Sequence, residues 1–163
     1  MTGFDPERLL EILVDEGVDF VLVGGYAALL QGATRPTQDV DVTPSTAVDN
    51  LTRLTTALER LNARIRTDAV PEGLPFSTSA EAMRGLLMLN LTTDFGDLDI
   101  TFHPSGTDGY GDLIKTAEER ILGGITLRIA ALADIVRSKA AAGRDKDIEA
   151  LTELYELLRQ AGE

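Results

Sequence analysis

The chain has 163 residues, 44% of them hydrophobic, which is enough for one domain with a sizeable core and too little for two ordinary domains. It contains no cysteine and a single histidine, which excludes disulfides, thiolate zinc sites, cysteine nucleophiles and zinc sites built from several imidazoles. Oxygen ligands and hard cations are the metal chemistry that remains. The formal net charge of -12 argues against broad, non-specific binding of a nucleic-acid backbone.

The distribution of charged and apolar residues gives two further expectations. Residues 1–8 are polar and acidic, and no apolar run reaches about 18 residues, so we expect a soluble cytoplasmic protein without membrane contact. Basic residues outnumber acidic ones in segments 53–66 and 128–147. These two segments are the candidate surface for an RNA, should the protein bind one.

Local sequence signals predict helices and strands along the whole chain. Asp5-Pro6-Glu7 combines an N-cap, a proline at the first helical position and an acid in the first turn, and Gly17 is expected to end that helix. Other helices are predicted from an apolar period of about 3.6 residues and strands from short apolar runs. In chain order we predict helix 6–16, strand 18–23, helix 26–31, strand 38–43, helix 48–61 capped by Ser45 or Thr46, strand 65–68, a loop with one helical turn over 69–85, a hairpin of strands 86–92 and 98–102, helix 109–120, a strand pair within 121–129, and helices 132–141 and 145–160.

These elements predict an α/β (α+β) fold, in which helices flank a mixed β-sheet and two helices close the chain. One domain is expected to span residues 1–163. The predicted core consists of apolar residues on the inner faces of the elements: Leu10, Leu13, Val21, Val23, Val40, Val42, Leu54, Leu58, Leu89, Leu91, Ile100, Phe102, Ile129, Ile135, Leu151 and Leu154.

The most informative pattern joins Gly24-Gly25 to Asp39-Val40-Asp41. The glycine pair follows a predicted strand and opens a helix, so backbone N–H groups are free there and no β-carbon obstructs an approaching phosphate. Side chains alternate along a strand, so Asp39 and Asp41 project from one face and repel each other unless a cation lies between them. Either motif alone is as typical of a tight turn or a solvated strand, but together they predict a site for a metal-bound nucleotide.

A third carboxylate strengthens this prediction. In the strand 98–102 and the residue before it, Asp97 and Asp99 share one face, and Asp99 is the preferred third carboxylate with Asp97 as its rival. Three converging carboxylates can bind two divalent cations for in-line displacement at phosphorus. His103 is expected only to end this strand, and Asp94-Phe95-Gly96 copies a kinase tripeptide without the other kinase motifs.

The order of these motifs resembles the nucleotidyltransferase superfamily, which is built on a DNA polymerase β-like core. The shared pattern is an apolar residue before Gly24-Gly25, a spacer of thirteen residues, Asp39-Val40-Asp41-Val42 and a later lone acid in a strand. Segments 35–41 and 139–147 also look like the AbiEii/MenT-type toxins of type IV toxin–antitoxin and abortive-infection systems. The resemblance spans roughly residues 18–158.

This resemblance implies a role for each matching residue. Asp39 and Asp41 would ligate Mg²⁺ or Mn²⁺, and Asp99 would be a third ligand or would draw the proton from the attacking hydroxyl. Lys139 would contact the phosphates or stabilise the pyrophosphate leaving group. The residues implied to contact the nucleotide are Gly24, Gly25, Arg35, Thr37 and Arg144. For the two arginines, and for Asp147, a structural ion pair is an equally good interpretation.

We therefore expect a metal-dependent nucleotidyltransferase that transfers a nucleoside monophosphate from a nucleoside triphosphate to an acceptor hydroxyl and releases pyrophosphate. The acceptor could be the end of an RNA such as tRNA, a protein or a small molecule, and a toxin would have a cognate antitoxin as its partner. Two alternatives stay open: a nucleotide-binding regulatory module without turnover, and an antibiotic-modifying adenylyltransferase.

Overall fold

The structure is a computed structural model and describes residues 3–162. In chain order its elements are α1 (Pro6–Asp15), β1 (Phe20–Val23), α2 (Gly24–Leu30), β2 (Asp39–Pro44), α3 (Val48–Arg60), β3 (Arg64–Ile65), α4 (Ala80–Met83), β4 (Met88–Thr93), β5 (Gly96–Thr101), α5 (Tyr110–Leu113), β6 (Glu118–Leu122), β7 (Ile125–Ile129), α6 (Leu132–Ala142) and α7 (Asp145–Gln160). Within this part of the chain no helix combines the length and the apolar character needed to span a bilayer.

A seven-stranded sheet organises these elements, with the strand order β3-β4-β5-β2-β1-β7-β6. β2 pairs in parallel with β5 and β1 pairs in parallel with β7, whereas the other neighbouring strands are antiparallel. Helices flank the sheet, and the two C-terminal helices α6 and α7 pack against each other. The predicted mixed α/β fold with C-terminal helices is confirmed.

The hydrophobic core determines which side of the sheet is free for a site. Val40 in β2 and Ile100 in β5 are fully buried, and the residues that alternate with them in both strands face the other side of the sheet. The predicted core is confirmed except at Val23 and Leu151, which are only partly buried. Val23 lies at the end of β1, where the core gives way to a cleft.

The segment after residue 102 differs from the prediction. Instead of a helix over 109–120, the structure has one helical turn, α5, followed by β6, which forms a hairpin with β7. In β6 the alternating residues Glu118 and Arg120 both bond the side chain of Gln31, at 3.0 and 3.2 Å. Pairing with β7 and contacts to α2 therefore outweigh the local helical preference of this segment.

Several element ends also differ from their predicted positions. β3 is Arg64–Ile65 rather than 65–68, and β4 begins at Met88 rather than at residue 86. Neither Ser45 nor Thr46 caps α3, whose N-cap is Ala47. The backbone carbonyl of Ser45 instead accepts a hydrogen bond from the buried Asn50 amide at 2.8 Å, which holds the chain in a turn before the helix.

Candidate active site

Three carboxylates come together where β2 and β5 run side by side. The parallel register places Asp41 beside Asp99 and Asp39 beside Asp97, and all four residues belong to the face opposite the core. One carboxylate oxygen from each of Asp39, Asp41 and Asp99 lies within 4.8 Å of the other two. Asp97 is not part of this group, although its carboxylate, like that of Asp99, lies near the guanidinium of Arg66. Between the two candidates for a third carboxylate, the geometry therefore favours Asp99.

Burial and neighbouring charges raise the pKa values of two of these carboxylates. The pKa of Asp41 is raised to about 7, chiefly by burial and further by the charges of Asp39 and Asp99, while Lys139 and Lys146 act in the opposite direction. Burial also raises the pKa of Asp99 to about 6, although Arg66 acts to lower it. A divalent cation would relieve this repulsion, and a set of carboxylate oxygens is the donor set that Mg²⁺ or Mn²⁺ prefers. The residues present thus fit the predicted metal.

The glycine pair lies directly against these carboxylates. Gly24 has a positive φ of 70°, and a β-carbon there would lie 2.7 Å from the Cγ of Asp41. A β-carbon on Gly25 would lie 3.1 Å from the Oγ1 of Thr37, whose hydroxyl donates a hydrogen bond to Asp39 at 3.1 Å. Both glycines therefore let the start of α2 approach the β2 carboxylates closely. Their contact with a phosphate stays a prediction.

A row of side chains continues from the carboxylates across the sheet. Asp41 is in register with Asp99, Asp99 is in register with Asn90, and the backbone N–H of Arg66 donates to the Asn90 carbonyl at 3.0 Å. The Arg66 guanidinium donates to Asp99 Oδ1 at 2.5 Å. Sequence reasoning missed both Asn90 and Arg66 as site residues, because their position depends on strand pairing. The only available signal was that Arg66 belongs to the basic segment 53–66.

The turn between α6 and α7 brings two cations to the cleft around a buried carboxylate. Asp147 is 1% exposed, accepts hydrogen bonds from Arg144 at 2.6 and 3.2 Å, and lies 3.6 Å from Lys139 Nζ. Burial acts to raise the pKa of Asp147, but Arg144 and Lys139 outweigh it and the pKa is lowered. Gly143 makes the turn with a φ of 65°. Arg144 and Asp147 thus form an ion pair at the cleft, in which Asp147 is buried and Arg144 is largely exposed.

Arg35 contacts α7 from the loop before β2. Its guanidinium lies 3.0 Å from Glu149 Oε2 and 3.4 Å from the backbone carbonyl of Lys146. The neighbouring Thr34 donates its hydroxyl to Glu153 at 2.5 Å. These bonds hold the loop against α7. Arg35 lies at the cleft and forms a salt bridge with Glu149, which is one of the two roles that the sequence allows for it.

A cleft of about 850 Å³ unites these groups. It is lined by every residue predicted to be catalytic or nucleotide-binding, namely Gly24, Gly25, Arg35, Thr37, Asp39, Asp41, Asp99, Lys139 and Arg144. Further polar lining residues include Arg66, Asn90, Lys146 and Asp147. His103 is exposed and does not belong to the lining. The structure therefore brings the predicted residues together in one place.

Most arginines of the two basic segments are paired with carboxylates. In the segment 53–66 each arginine lies near a carboxylate: Arg53 near Asp19, Arg60 near Asp15 and Glu16, Arg64 near Asp94, and Arg66 near Asp97 and Asp99. In the segment 128–147, Arg128 pairs with Glu119 and Arg137 with Asp112 and Asp134. These pairs disfavour the arginines named here as an RNA-binding surface, whereas the remaining cations of the second segment, Lys139, Arg144 and Lys146, line the cleft.

The fold is shared with solved nucleotidyltransferases. The lincosamide antibiotic adenylyltransferase LnuA, bound to lincomycin, superposes with a TM-score of 0.59 and 14% identity over 96% of this chain and 99% of its own. A presumed nucleotidyltransferase from Thermotoga maritima gives 0.56 and 16% over 95% and 96%. ANT(2'')-Ia, in complex with adenylyl-2''-tobramycin, gives 0.56 and 16% over 94% and 87%. No protein-family model matches the sequence, and no curated protein matches it.

These likenesses establish the nucleotidyltransferase-like fold that the motifs indicate. With identities of 14 to 16% they do not by themselves carry an activity or a substrate over to this chain. The function has to be argued from the cleft itself.

Proposed function

We propose that the protein is a metal-dependent nucleotidyltransferase that transfers a nucleoside monophosphate from a nucleoside triphosphate to an acceptor hydroxyl. The observation that carries this proposal is the group formed by Asp39, Asp41 and Asp99, whose oxygens lie within 4.8 Å of one another in a cleft that also contains lysine and arginine side chains. Such a cleft has ligands for divalent ions beside cations for a triphosphate. The nucleotidyltransferase fold supports the same activity.

Asp39, Asp41 and Asp99 are the residues that would hold Mg²⁺ or Mn²⁺. Bound there, the ions would supply Lewis-acid stabilisation of charge on the transferred phosphoryl group. The rest of the site is the protein's own contribution. Gly24 and Gly25 leave the backbone accessible to phosphate oxygens, and Thr37 keeps Asp39 oriented through its hydroxyl.

The reaction forms one bond and breaks one bond at the α-phosphorus. The acceptor hydroxyl oxygen bonds to that phosphorus, and the bond from phosphorus to the oxygen shared with the β-phosphate breaks, so pyrophosphate leaves with the electron pair. Asp99, which is in register with Asp41, would be either the third ligand of the ion or the acceptor of the hydroxyl proton. Lys139 and Arg144 would balance the charge of the departing pyrophosphate, and they are held for this by Asp147.

Two more specific functions within this class are supported to different degrees. An antibiotic-modifying adenylyltransferase is favoured by the fold shared with LnuA and ANT(2'')-Ia. The toxin role, with a tRNA acceptor and an antitoxin partner, rests on the resemblance of segments 35–41 and 139–147 alone. We also propose that residues 1–163 form a single domain, since one sheet contains all the strands in the described part of the chain.

The test is transfer of label from each α-³²P nucleoside triphosphate in the presence of Mg²⁺ or Mn²⁺ to RNA, protein and small-molecule acceptors. Asp39→Asn and Asp41→Asn should each abolish transfer while the proteins stay folded. Asp97→Asn is the matched control, because Asp97 lies on the same face of β5 as Asp99 but outside the carboxylate group. Transfer that survives both substitutions at Asp39 and Asp41 would contradict the proposal. Calorimetry that finds tight nucleotide binding without pyrophosphate release would favour the regulatory module instead.

A further inference from the structure

The two ends of the cleft differ in charge, and this difference bears on the acceptor of the proposed transfer. One end contains the four cations Arg35, Lys139, Arg144 and Lys146. Lys139 and Arg144 lie around Asp147, and Arg35 reaches the backbone carbonyl of Lys146 at 3.4 Å. This group of four, the basic end, lies where the loop before β2 meets the turn between α6 and α7. A nucleoside triphosphate carries about four negative charges, so the basic end is its natural place.

The part of the cleft on β4 and β5 has a different lining. Met88, Asn90 and Thr101 face the cleft there, with Met88 directly in register with Thr101. None of these side chains is charged, and Met88 is 52% exposed. Arg66 is the nearby cation, and its guanidinium is already bonded to Asp99 and close to Asp97. We call this the neutral end.

Asn90 has uncommitted hydrogen-bonding capacity next to the proposed reaction centre. It is exposed, and it is in register with Asp99 on the neighbouring strand. Within residues 3–162 the one hydrogen bond found for its side chain is a long contact of 4.0 Å with Met88 Sδ. A carboxamide offers two donors and an acceptor, so Asn90 can still bind a hydroxyl or an ether oxygen beside Asp99.

We infer that the acceptor binds at the neutral end, against Met88 and Asn90, and that it is a small alcohol without phosphate groups. This inference rests on the proposed nucleotidyl transfer. A phosphate at the neutral end would face Asp99 and a single cation, Arg66, which Asp97 and Asp99 share, whereas the four cations of the basic end are paired with only the two carboxylates Asp147 and Glu149. A polynucleotide would also need several phosphate contacts beyond the cleft, whereas the arginines of segment 53–66 are paired with carboxylates and the net charge is -12.

The products follow from this placement. The alcohol oxygen bonds to the α-phosphorus of the nucleotide, the bond from that phosphorus to the oxygen shared with the β-phosphate breaks, and pyrophosphate leaves toward the basic end, while a base, for which Asp99 is the candidate, takes the hydroxyl proton. The alcohol becomes a nucleoside monophosphate ester. Neutral and amine-bearing alcohols are both compatible with the neutral end. A positively charged group there would lie near acidic and uncharged side chains, and the one cation nearby, Arg66, is bonded to Asp99.

The experiment compares acceptors that differ in a phosphate. Purified protein, Mg²⁺ and each α-³²P nucleoside triphosphate are incubated separately with lincomycin, tobramycin, adenosine, glycerol, adenosine monophosphate, glycerol 3-phosphate and tRNA. Label should enter at least one unphosphorylated alcohol and should not enter tRNA or the phosphorylated partner of a labelled compound. Asn90→Ala should then raise the KM for that alcohol by about two- to tenfold, which corresponds to one lost hydrogen bond, with the KM for the nucleotide unchanged.

Thr92→Val is the matched control for the Asn90 substitution. Thr92 is the next residue on the same face of β4, in register with Asp97, and valine keeps its shape. Both KM values should stay as in the original protein. Label in tRNA, no label in any small alcohol, or an unchanged acceptor KM in Asn90→Ala would each overturn the inference. A different result would contradict the proposed function itself: no acceptor is labelled, and Mg²⁺ with ATP has the same effect on the Tm of the original protein and of Asp41→Asn.

Discussion

Gly24 and Asp41 are packed so closely that no other residue fits at position 24. A β-carbon there would lie 2.7 Å from Asp41 Cγ, and the φ of 70° is unfavourable for any residue with a side chain. The close approach joins the beginning of α2 to the buried carboxylate of β2. The glycine is therefore as necessary to the position of Asp41 as the strand that carries it.

Replacing this glycine should disable the site. In Gly24→Ala, Asp41 or the start of α2 has to move, so nucleotidyl transfer should fall by on the order of 100-fold and the free energy of unfolding by about 1–3 kcal/mol. Activity assays and chemical denaturation measure the two effects. Gly111→Ala is the control, because a β-carbon at residue 111 meets nothing within 4 Å. Normal activity in Gly24→Ala would show that Asp41 is not constrained as described.

Asp41 should make the metal-free protein less stable as the pH rises. Burial and the neighbouring carboxylates raise its pKa to about 7 in the folded state, above the ordinary value of 3.8 that applies when unfolded. The folded protein thus holds the proton more tightly, and stability that is present below about pH 4 is lost as the pH rises toward and through 7. Asp41→Asn removes this loss and should be more stable than the original protein at pH 8 in EDTA, by on the order of 3 kcal/mol.

Thermal melting across this pH range, with EDTA and then with excess Mg²⁺, measures both proteins. Mg²⁺ should raise the Tm of the original protein at pH 8 and leave Asp41→Asn unchanged, because a bound ion stabilises only the form that binds it. Equal pH dependence of the two proteins in EDTA would refute a raised pKa at Asp41.

Arg66 should influence how metal binding depends on pH. Burial raises the pKa of Asp99, and the bonded guanidinium of Arg66 opposes that rise. Without the guanidinium the proton competes more strongly for Asp99, so in Arg66→Met the Mg²⁺-dependent rise in Tm should require a higher pH. Arg66→Lys keeps a positive charge, so the pH that it requires should lie between those of the original protein and Arg66→Met. The same pH midpoint in all three proteins would mean that Arg66 does not act on Asp99.

Asp147 should act on nucleotide binding through its two cationic partners. Asp147→Asn keeps the shape of a side chain that is 1% exposed but removes the charge that holds Lys139 and Arg144. The KM for the nucleoside triphosphate should rise by about tenfold, with a smaller change in kcat and about 1–3 kcal/mol lower stability. Asp145→Asn, at an exposed position in the first turn of α7, is the control for charge alone. If both variants raise KM equally, Asp147 has no positioning role.

The parts of the site that depend on local sequence could be predicted, and the parts that depend on strand pairing could not. Asp39 and Asp41 share a face because side chains alternate along any strand, and the glycine pair follows β1 directly in the chain. Asp99 was preferred over Asp97 for its place between apolar residues in a strand, and only the packed strands show the physical reason, since one oxygen each of Asp39, Asp41 and Asp99 lies within 4.8 Å of the others. Asn90 was missed because its place beside Asp99 depends on a neighbouring strand.

The errors in the fold have a similar origin. Residues 118–122 alternate in burial as a strand does, but their charged side chains gave no apolar run, and Gln31, which bonds Glu118 and Arg120, lies far away in the sequence. For Asp147 the sequence left a structural ion pair and a role in the site equally open, because burial of a carboxylate depends on how α6 packs against α7. Propensity within a short window contains none of this information.

The parallel pairing of β2 with β5 also determines which changes in chain length the site can accept. Asp41 and Asp99 are joined by a long connection that includes the loop between β3 and α4, and no hairpin links their two strands directly. Residues inserted in that loop would leave the strands in place. A shift of one residue in the register of β5 would instead turn Leu98 or Ile100 toward the cleft and bury a carboxylate in the core. Relatives of this protein can therefore be expected to vary in the length of the loop while the spacing within β5 stays constant.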